Sequence, residues 1–461
     1  MRSRRALVIG LDAADPELVF DRFREKLPNL GELMDRGAYG RMRSCDPPIT
    51  IPAWAVMTTS KNPGRLGMYG FRYRRDNSYS EFGIASSHLL RERAIWDILG
   101  GEGRTSCVIG VPPSYPPMPI KGWLISGMVT PSTERDYTYP SSLKREIEDL
   151  VGDYIVDVKF RTENREGLLK QIYEMTEKRF RVVEHLTKSK GWDLFMFVEI
   201  GLDRLHHAFW KFFDEQHHLY KPGSRFQNVV EDYYRYLDEK VGELLSSVGR
   251  DTVVLVVSDH GTKRMKGCFC INEWLASEGY LRLRGKVQRG SELDGNVDWG
   301  RTRAWGWGGY FARIFLNVKG REEKGIIDPM DYESVRDELA EELEGVRGPN
   351  GEKWETKAFK PEELYPECRG NPSDLMVYFD DLYWRSAGTI GYDTSYLPEN
   401  DIGPDDAVHA QHGIFILFDP EENLGGGKTE IDVLDIAPTI LHLMGSRVPG
   451  DMEGRVIEGI L

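Results

Sequence analysis

The sequence has little of what marks secreted, membrane-spanning or nucleic-acid-binding proteins. It contains five cysteines in 461 residues, and such an odd, sparse set does not predict a disulfide framework. No window approaches the roughly 18 consecutive apolar residues that a membrane span needs. The formal net charge of -14 would repel a phosphate backbone, which argues against a nucleic-acid polymer as partner. A small phosphorylated ligand is compatible with this charge, because bound cations can reverse the sign of a local field.

The amino terminus imitates a secretory signal, with basic residues before an apolar run. The run ends at Asp12, too soon for the apolar core of a signal peptide. We therefore expect a cytoplasmic protein without membrane association, and the sequence leaves its oligomeric state open. The length predicts two domains, or one large domain with an insertion.

Short apolar runs bounded by Gly, Asp or Ser predict buried strands of a parallel sheet. These runs lie at residues 6–9, 194–200, 252–257 and 414–418. Helical patterns occur between them, at residues 29–36, 143–150, 229–247 and 332–343. The alternation predicts an α/β/α sandwich with a largely parallel central sheet.

Two stretches differ from this alternation. Residues 285–405 carry Gly and Trp clusters, charge runs and few long apolar runs. We expect them to form an inserted or peripheral lobe, with residues 1–284 and 406–461 as the core. Residues 78–190, rich in Pro and Tyr around 112–119, are a candidate lid.

Three acidic residues stand just beyond predicted strands, at Asp12, Asp203 and Asp259. Ligands of open α/β sheets bind beyond the carboxyl ends of the strands, so the three could meet in one crevice. A single aspartate at such a position often only caps a helix. Three of them, two with histidine close by, favour a shared site.

Histidines accompany these carboxylates. His260 directly follows Asp259, and His207 lies four residues after Asp203, on one face if that segment is helical. His409 and His412, just before another apolar run, offer a further ligand at the same edge. Imidazoles with carboxylates suit zinc or manganese, and the absence of cysteine ligands leaves the choice between them open. His217 and His218 lie in a polar segment, where we expect solvated side chains.

A candidate nucleophile, Thr50, begins the stretch Thr-Ile-Pro-Ala-Trp at residues 50–54. Pro52 is well placed as an early helical residue, which puts Thr50 at the helix amino terminus. Free N–H groups there favour a phosphate, and a hydroxyl beside a divalent cation can ionise near neutral pH. The alternative is that Thr50 only caps the helix.

Taken together, these segments resemble the alkaline phosphatase superfamily, and within it the type I phosphodiesterase/nucleotide pyrophosphatase branch. The most specific matches are Ser-Asp-His-Gly at 258–261 and Thr-x-Pro-Ala-Trp at 50–54. Further matches follow in family order, at residues 8–12, 28–37, 62–64, 272–275, 317–321 and 435–439. They span nearly the whole chain, which makes a chance likeness improbable.

The resemblance implies a covalent mechanism and two divalent cations, zinc first and manganese second. One cation would be held by Asp203, His207 and His409. The other would be held by Asp12, Asp259 and His260, with the Thr50 hydroxyl facing it. His409 is preferred to His412, and His207 to His206, by family spacing. Thr50 would form a phospho-threonine that water then hydrolyses.

The sequence departs from the family pattern near the site. Leu66 and Gly70 replace a family His and Asp, and Phe71 stands where nucleotide pyrophosphatases place an Asn that contacts a phosphate oxygen. Arg72, next in the chain, is our candidate for that substrate contact. The sulfatase branch needs a modified Cys or Ser followed by x-Pro-x-Arg, and the segment after Cys45 has no such Arg.

The leading hypothesis is therefore hydrolysis of a small phosphorylated substrate, a diester or pyrophosphate ahead of a monoester. A phosphomutase or phosphotransferase could use the same site if an alcohol replaced water. A catalytically silent binding protein with this fold is the third alternative.

Overall fold

In the computed structural model, which describes residues 4–249 and 251–457, strands and helices alternate over most of the chain. The strands of these residues are β1 (Arg5–Leu11), β2 (Ala38–Arg43), β3 (Arg72–Arg74), β4 (Phe82–Ile84), β5 (Ser106–Ile109), β6 (Gly122–Ile125), β7 (Thr138–Tyr139), β8 (Leu194–Glu199), β9 (Thr252–Val257), β10 (Gly261–Arg264), β11 (Gly267–Cys270), β12 (Ala304–Trp307), β13 (Ala312–Leu316), β14 (Lys357–Phe359), β15 (Leu375–Tyr378), β16 (Trp384–Ala387), β17 (Tyr396–Leu397), β18 (Ala407–Ala410), β19 (His412–Phe418) and β20 (Gly427–Asp432).

The α-helices are α1 (Pro28–Arg36), α2 (Thr50–Thr59), α3 (Pro63–Leu66), α4 (Ile95–Gly101), α5 (Leu143–Val151), α6 (Arg165–Ser189), α7 (Gly201–Phe213), α8 (Val229–Ser246), α9 (Ile271–Ser277), α10 (Tyr332–Glu344), α11 (Pro361–Leu364) and α12 (Ile436–Leu443). Short 3-10 turns cover Arg24–Lys26, Ser87–Leu89, Trp299–Arg301, Pro329–Asp331 and Val433–Asp435, and a π turn covers Leu18–Arg22.

Nine of the described strands form the central sheet, in the order β20-β2-β19-β9-β1-β8-β5-β6-β7. Side chains of β1 alternate between its two faces, as the period of a strand requires. Leu7 and Ile9 pack in the core that holds α1, α6, α7 and α8, whereas Ala6 and Val8 pack in the core that holds α2, α4 and α12. Helices thus cover both faces, and the predicted α/β/α sandwich is confirmed.

Strand direction determines which ends meet. β1 runs parallel to both β8 and β9, so these three strands end at one edge of the sheet. β19 is antiparallel to β9 and β2, and therefore begins at that edge, while β2 ends there. The loops after β1, β2, β8 and β9 and the loop before β19 consequently converge.

A second hydrophobic core extends from Phe269 to Ile390. It is built on the sheets β12-β13-β15-β14 and β16-β11-β17. The β3–β4 hairpin packs against it, because the Tyr79 ring stacks on Trp299 with 3.9 Å between centroids. The lobe boundaries at residues 285 and 405 remain a prediction.

The expectation that residues 78–190 form a lid is wrong in part. This stretch contributes β5, β6 and β7 to the central sheet, and α6 packs against α7 in the main core. Its strands are short and separated by Pro-rich turns, which hid them from a search for long apolar runs. Among the residues that the structure describes, every helix is too short or too polar to cross a bilayer.

Candidate metal centre

Three buried carboxylates meet at the edge where β8, β1 and β9 end. Asp12 directly follows β1, Asp203 lies in the first turn of α7 after β8, and Asp259 is the second residue after β9. All three are at most 1% exposed. Since β1 pairs with β8 on one side and β9 on the other, adjacent parallel strands bring the three together.

Each carboxylate has one oxygen that accepts a hydrogen bond and one that does not. The donors are Trp54 Nε1 to Asp12 Oδ2 at 2.9 Å, Arg204 Nη1 to Asp203 Oδ2 at 2.6 Å and the Ala13 N–H to Asp259 Oδ1 at 3.3 Å. Among the described residues, nothing donates to Asp12 Oδ1, Asp203 Oδ1 or Asp259 Oδ2. Buried carboxylate oxygens are costly without a partner, and cations are among the partners that stabilise them.

Imidazole nitrogens face these free oxygens. His260 Nε2 lies 3.2 Å from Asp259 Oδ2 and 3.9 Å from Asp12 Oδ1, and His409 Nε2 lies 3.8 Å from Asp203 Oδ1. Two sets have donor atoms that all lie within 4.8 Å of one another. One set is Asp12, Asp259 and His260, and the other is Asp203, His260 and His409.

The opposite ring nitrogens hold these imidazoles in a suitable tautomer. His260 Nδ1 lies 3.0 Å from the Gly261 carbonyl oxygen, and His409 Nδ1 lies 2.8 Å from that of Pro48. A carbonyl can only accept, so each Nδ1 carries the proton and each Nε2 offers its lone pair. This is the arrangement of a metal-binding histidine.

His207 belongs to the same group through Asp203. Its Nε2 lies 3.2 Å from Asp203 Oδ1 and 3.2 Å from the Tyr310 hydroxyl. Its Nδ1 donates to Asp405 Oδ1 at 2.7 Å. The buried Asp405 is in turn bound by the guanidinium groups of Arg161 and Arg385, at 3.0 and 2.9 Å.

Thr50 opens helix α2, and its Oγ1 lies 3.2 Å from His260 Nε2. The first N–H of this helix with a hydrogen bond to the preceding turn is that of Ala53, to the Ile49 carbonyl. The N–H groups of Thr50 and Ile51 precede it and have no intrahelical acceptor, so they are available to an anion. The site therefore combines a hydroxyl, free N–H groups and carboxylate–imidazole clusters.

Gly10 permits the close approach of helix α2 to strand β1. A Cβ at Gly10 would lie 2.5 Å from the Trp54 ring. The absence of a side chain lets this ring lie on the strand and reach Asp12.

The pKa values of the three carboxylates are shifted in different directions. Burial, and next the neighbouring Asp203, raises the pKa of Asp12 well above its ordinary value, and burial with Asp12 does the same to the pKa of Asp259. Burial would also raise the pKa of Asp203, but His207 and Arg204 lower it well below the ordinary value. Asp12 and Asp259 thus need a countercharge to ionise, which a cation would supply.

The imidazoles of His260 and His409 are neutral near pH 7. Burial lowers the pKa of His260 to about 4. Burial, and next the neighbouring His260, lowers the pKa of His409 well below its ordinary value. Neutral imidazoles are the form that binds a metal ion.

The other histidines considered in the sequence lie elsewhere. His412 Nε2 is 3.4 Å from Glu430 Oε1 at the edge of the sheet, and His206 Nδ1 is 3.0 Å from Thr262 Oγ1. The expectation of a solvated His217 is wrong. It is 3% exposed, and its Nε2 donates to the Asp406 carbonyl because the segment after α7 folds back over the helix.

Arg72 has its contacts away from these clusters. It is exposed on β3, and its guanidinium lies over the Phe82 ring, 4.5 Å from the centroid.

Sequence reasoning missed four residues that support the clusters. Arg204 joins Asp203 to Asp157, whose carboxylate accepts two of its N–H groups at 2.8 Å. The position of Arg204 directly after Asp203 was the one sequence signal for its role. Asp405, Asp157 and Tyr310 lie in irregular segments, and no spacing in the sequence connects them to His207 or Asp203.

Comparisons with known proteins give a matching family and solved structures of similar fold. The family described as type I phosphodiesterase / nucleotide pyrophosphatase matches residues 6–413. No curated protein matches the sequence.

Solved structures share the fold over almost their whole length. Human ectonucleotide pyrophosphatase / phosphodiesterase 5 is 13% identical with a TM-score of 0.57, and 97% of this chain aligns with 96% of that one. An inactive variant of the murine protein, in complex with AMP, is 15% identical with a TM-score of 0.55 over the same shares. Phosphonoacetate hydrolase from Sinorhizobium meliloti, in complex with phosphonoformate, is 14% identical with a TM-score of 0.59 over 96% of both chains.

Proposed function

Since this chain belongs to the type I phosphodiesterase / nucleotide pyrophosphatase family of the alkaline phosphatase superfamily, we propose that it hydrolyses phosphodiester or pyrophosphate bonds through a phospho-threonine at Thr50. Membership of the family supports a phosphoric ester hydrolase. The proposal adds the nucleophile, the ligands of two divalent cations and a small phosphorylated substrate.

One observation carries the proposal. Within residues 4–249 and 251–457, the buried carboxylate oxygens Asp12 Oδ1, Asp203 Oδ1 and Asp259 Oδ2 have no hydrogen-bond donor, and each faces an imidazole nitrogen. Burying these oxygens together without positive charge would cost several kcal/mol each. A site for cations is the simplest account of that cost.

The donor set fits two divalent cations. We assign Asp203, His207 and His409 to one, and Asp12, Asp259, His260 and the Thr50 hydroxyl to the other. Oxygen and imidazole donors without thiolates suit zinc first and manganese second. His260 belongs to both sets of mutually close donors, which is consistent with neighbouring sites.

The chain's own residues supply the chemistry around the phosphoryl group. When bound, the cations would contribute Lewis-acid and electrostatic stabilisation. Thr50 Oγ1 forms a bond to phosphorus and loses its proton to solvent, while the bond from phosphorus to the leaving oxygen breaks. The free N–H groups of Thr50 and Ile51 donate to the phosphoryl oxygens.

Hydrolysis completes the cycle. A water oxygen attacks the phosphorus of phospho-Thr50, Thr50 Oγ1 leaves and regains a proton, and a phosphate monoester is released.

The leaving group exits on the side of Asp203 and His207, where the Tyr310 hydroxyl lies. Phe71 offers an apolar surface to the second substituent, as a diester would require.

The test measures bound metal and turnover together. The zinc-loaded protein should hydrolyse bis-p-nitrophenyl phosphate, and Thr50→Ala should abolish turnover while zinc remains bound. Thr59→Ala, at the opposite end of α2, is the matched control and should retain activity. Full activity of Thr50→Ala would remove Thr50 from its role, and a wild type without bound metal or turnover would favour a silent binding protein.

A further inference from the structure

Two arginines and two aromatic rings form a continuous surface between the β3–β4 hairpin and the second core. The Arg72 guanidinium lies 4.5 Å from the Phe82 ring, and that of Arg313 lies 4.9 Å from the Trp307 ring. The two rings meet edge to face, 6.3 Å apart. Arg313 Nη1 donates to the Arg72 carbonyl oxygen at 2.5 Å, which closes the group.

The two guanidinium groups have no acidic partner among the residues that the structure describes. In the described part of the chain no carboxylate forms an ion pair with Arg72 or Arg313, although most other arginines in this acidic protein have one. Burial, and next the like charge of Arg72, lowers the pKa of Arg313 to about 10, so the Arg313 guanidinium remains charged near neutral pH. Two adjacent guanidinium groups repel each other, and an anion bound between them would accept charge-assisted hydrogen bonds from both.

The surface around these arginines is apolar. Phe82 is 43% exposed and Ile84, which pairs with Arg72 across the hairpin, is 57% exposed. A phosphate ion alone would leave this apolar area in water. A ligand with an apolar body and an anionic group would use both features.

Chain neighbours of this group connect it to the residues that flank Thr50. Phe71, the residue before Arg72, packs against one cluster that contains Ile49 and another that contains Ile51. On the other side, the Arg313 guanidinium approaches the Phe311 ring at 6.0 Å, and Phe311 follows Tyr310 of the candidate metal centre. Phe71 and Phe311 thus connect the surface around Arg72 and Arg313 to the surroundings of Thr50 and Tyr310.

We propose that Arg72 and Arg313 bind a second anionic group, carried on the apolar second substituent of the phosphoester substrate. The inference rests on the proposed function for the position of the reacting phosphate. It names the substrate class: a diester whose non-leaving substituent combines an apolar or planar body with a phosphate, phosphonate or carboxylate. The guanidinium forks supply bidentate donors for that group, and the exposed rings contact the body.

The test compares two substrates that differ by one group. p-Nitrophenyl phenyl phosphate carries only the reacting phosphate, and its analogue carries an additional phosphonate on the phenyl ring. The wild type should prefer the phosphonate analogue in kcat/KM by about tenfold, the effect of one charge-assisted hydrogen bond. Arg313→Gln and Arg72→Gln should each lose this preference, and Arg313→Lys should recover part of it. Arg301→Gln, which removes an exposed charge on the same lobe, should keep it.

Calorimetry separates the failure of this inference from the failure of the proposed function. The phosphonate analogue is titrated into Thr50→Ala, alone and combined with Arg313→Gln or Arg72→Gln. Weaker binding of the analogue in both double variants supports the inference, whether or not the wild type turns over. A wild type that turns over both substrates without the kcat/KM preference, or a preference that survives in Arg313→Gln and Arg72→Gln, overturns the inference. Arg72 is exposed on the hairpin, so its variant tests the site even if Arg313→Gln fails to fold.

Discussion

Asp405→Asn should weaken metal binding although Asp405 is not assigned as a ligand. The Asp405 carboxylate is fully buried, accepts a hydrogen bond from His207 Nδ1 at 2.7 Å and pairs with Arg161 and Arg385. The asparagine would keep an oxygen near Nδ1 but lose the negative charge. The imidazole would become less basic, and the two guanidinium groups would lose their common partner.

The size of both effects follows from these contacts. Removing one partner of a buried ion pair costs about 3–5 kcal/mol in the free energy of unfolding. Removing the carboxylate that orients a metal-binding histidine lowers metal affinity by about 10- to 100-fold. The loss of metal affinity is specific to the site, whereas the loss of stability would accompany the loss of any buried ion pair.

Zinc affinity would be measured by competition with a chromogenic chelator near neutral pH, together with unfolding in urea. Glu322→Gln is the matched control, because it breaks the Arg74–Glu322 pair, whose side chains are 1% and 0% exposed, away from the site. Both variants should lose stability, but only Asp405→Asn should lose zinc affinity. Equal zinc affinity in Asp405→Asn and the wild type would refute the claim that Asp405 positions His207.

Two further predictions follow from the site. Burial raises the pKa of Asp12 and of Asp259 above 3.8, so the folded protein keeps protons that the unfolded chain has lost. The stability of the zinc-free protein should therefore fall as pH rises above 3.8. Zinc displaces these protons, so the Tm difference between zinc-loaded and zinc-free protein should widen from about pH 5 to about pH 8. A Tm difference that stays constant over this range would contradict the prediction. Tyr310→Phe keeps the ring that stacks 4.0 Å from His409 but removes the hydroxyl, and kcat should fall about tenfold more for a phenyl than for a p-nitrophenyl leaving group. Equal losses would exclude a role for this hydroxyl at the leaving oxygen.

The layered fold and four central strands could be predicted from the sequence, because their signals are local. Four apolar runs corresponded to β1, β8, β9 and β19, and a parallel sheet brings the ends of its strands to one edge whatever its exact order. The grouping of Asp12, Asp203 and Asp259 follows from that rule alone. The shorter strands β5 and β6 were missed because four residues between Pro-rich turns carry too little periodicity.

The supporting residues of the site depend on long-range packing. Asp405 reaches His207 across 198 positions of the chain and Tyr310 reaches it across 103, and neither residue follows an apolar strand. His217 illustrates the same difficulty, because its burial results from the fold of a polar segment over α7. Arg313 could not be connected to Arg72 before the hairpin and β13 were seen together.

The most direct test of the account is anomalous X-ray diffraction at the zinc edge from crystals of the zinc-loaded protein. We predict two peaks, one among Asp203, His207 and His409 and the other among Asp12, Asp259, His260 and Thr50 Oγ1. A map without a peak at these side chains, or with zinc bound only elsewhere on the protein, would contradict the proposed centre and with it the role of Thr50.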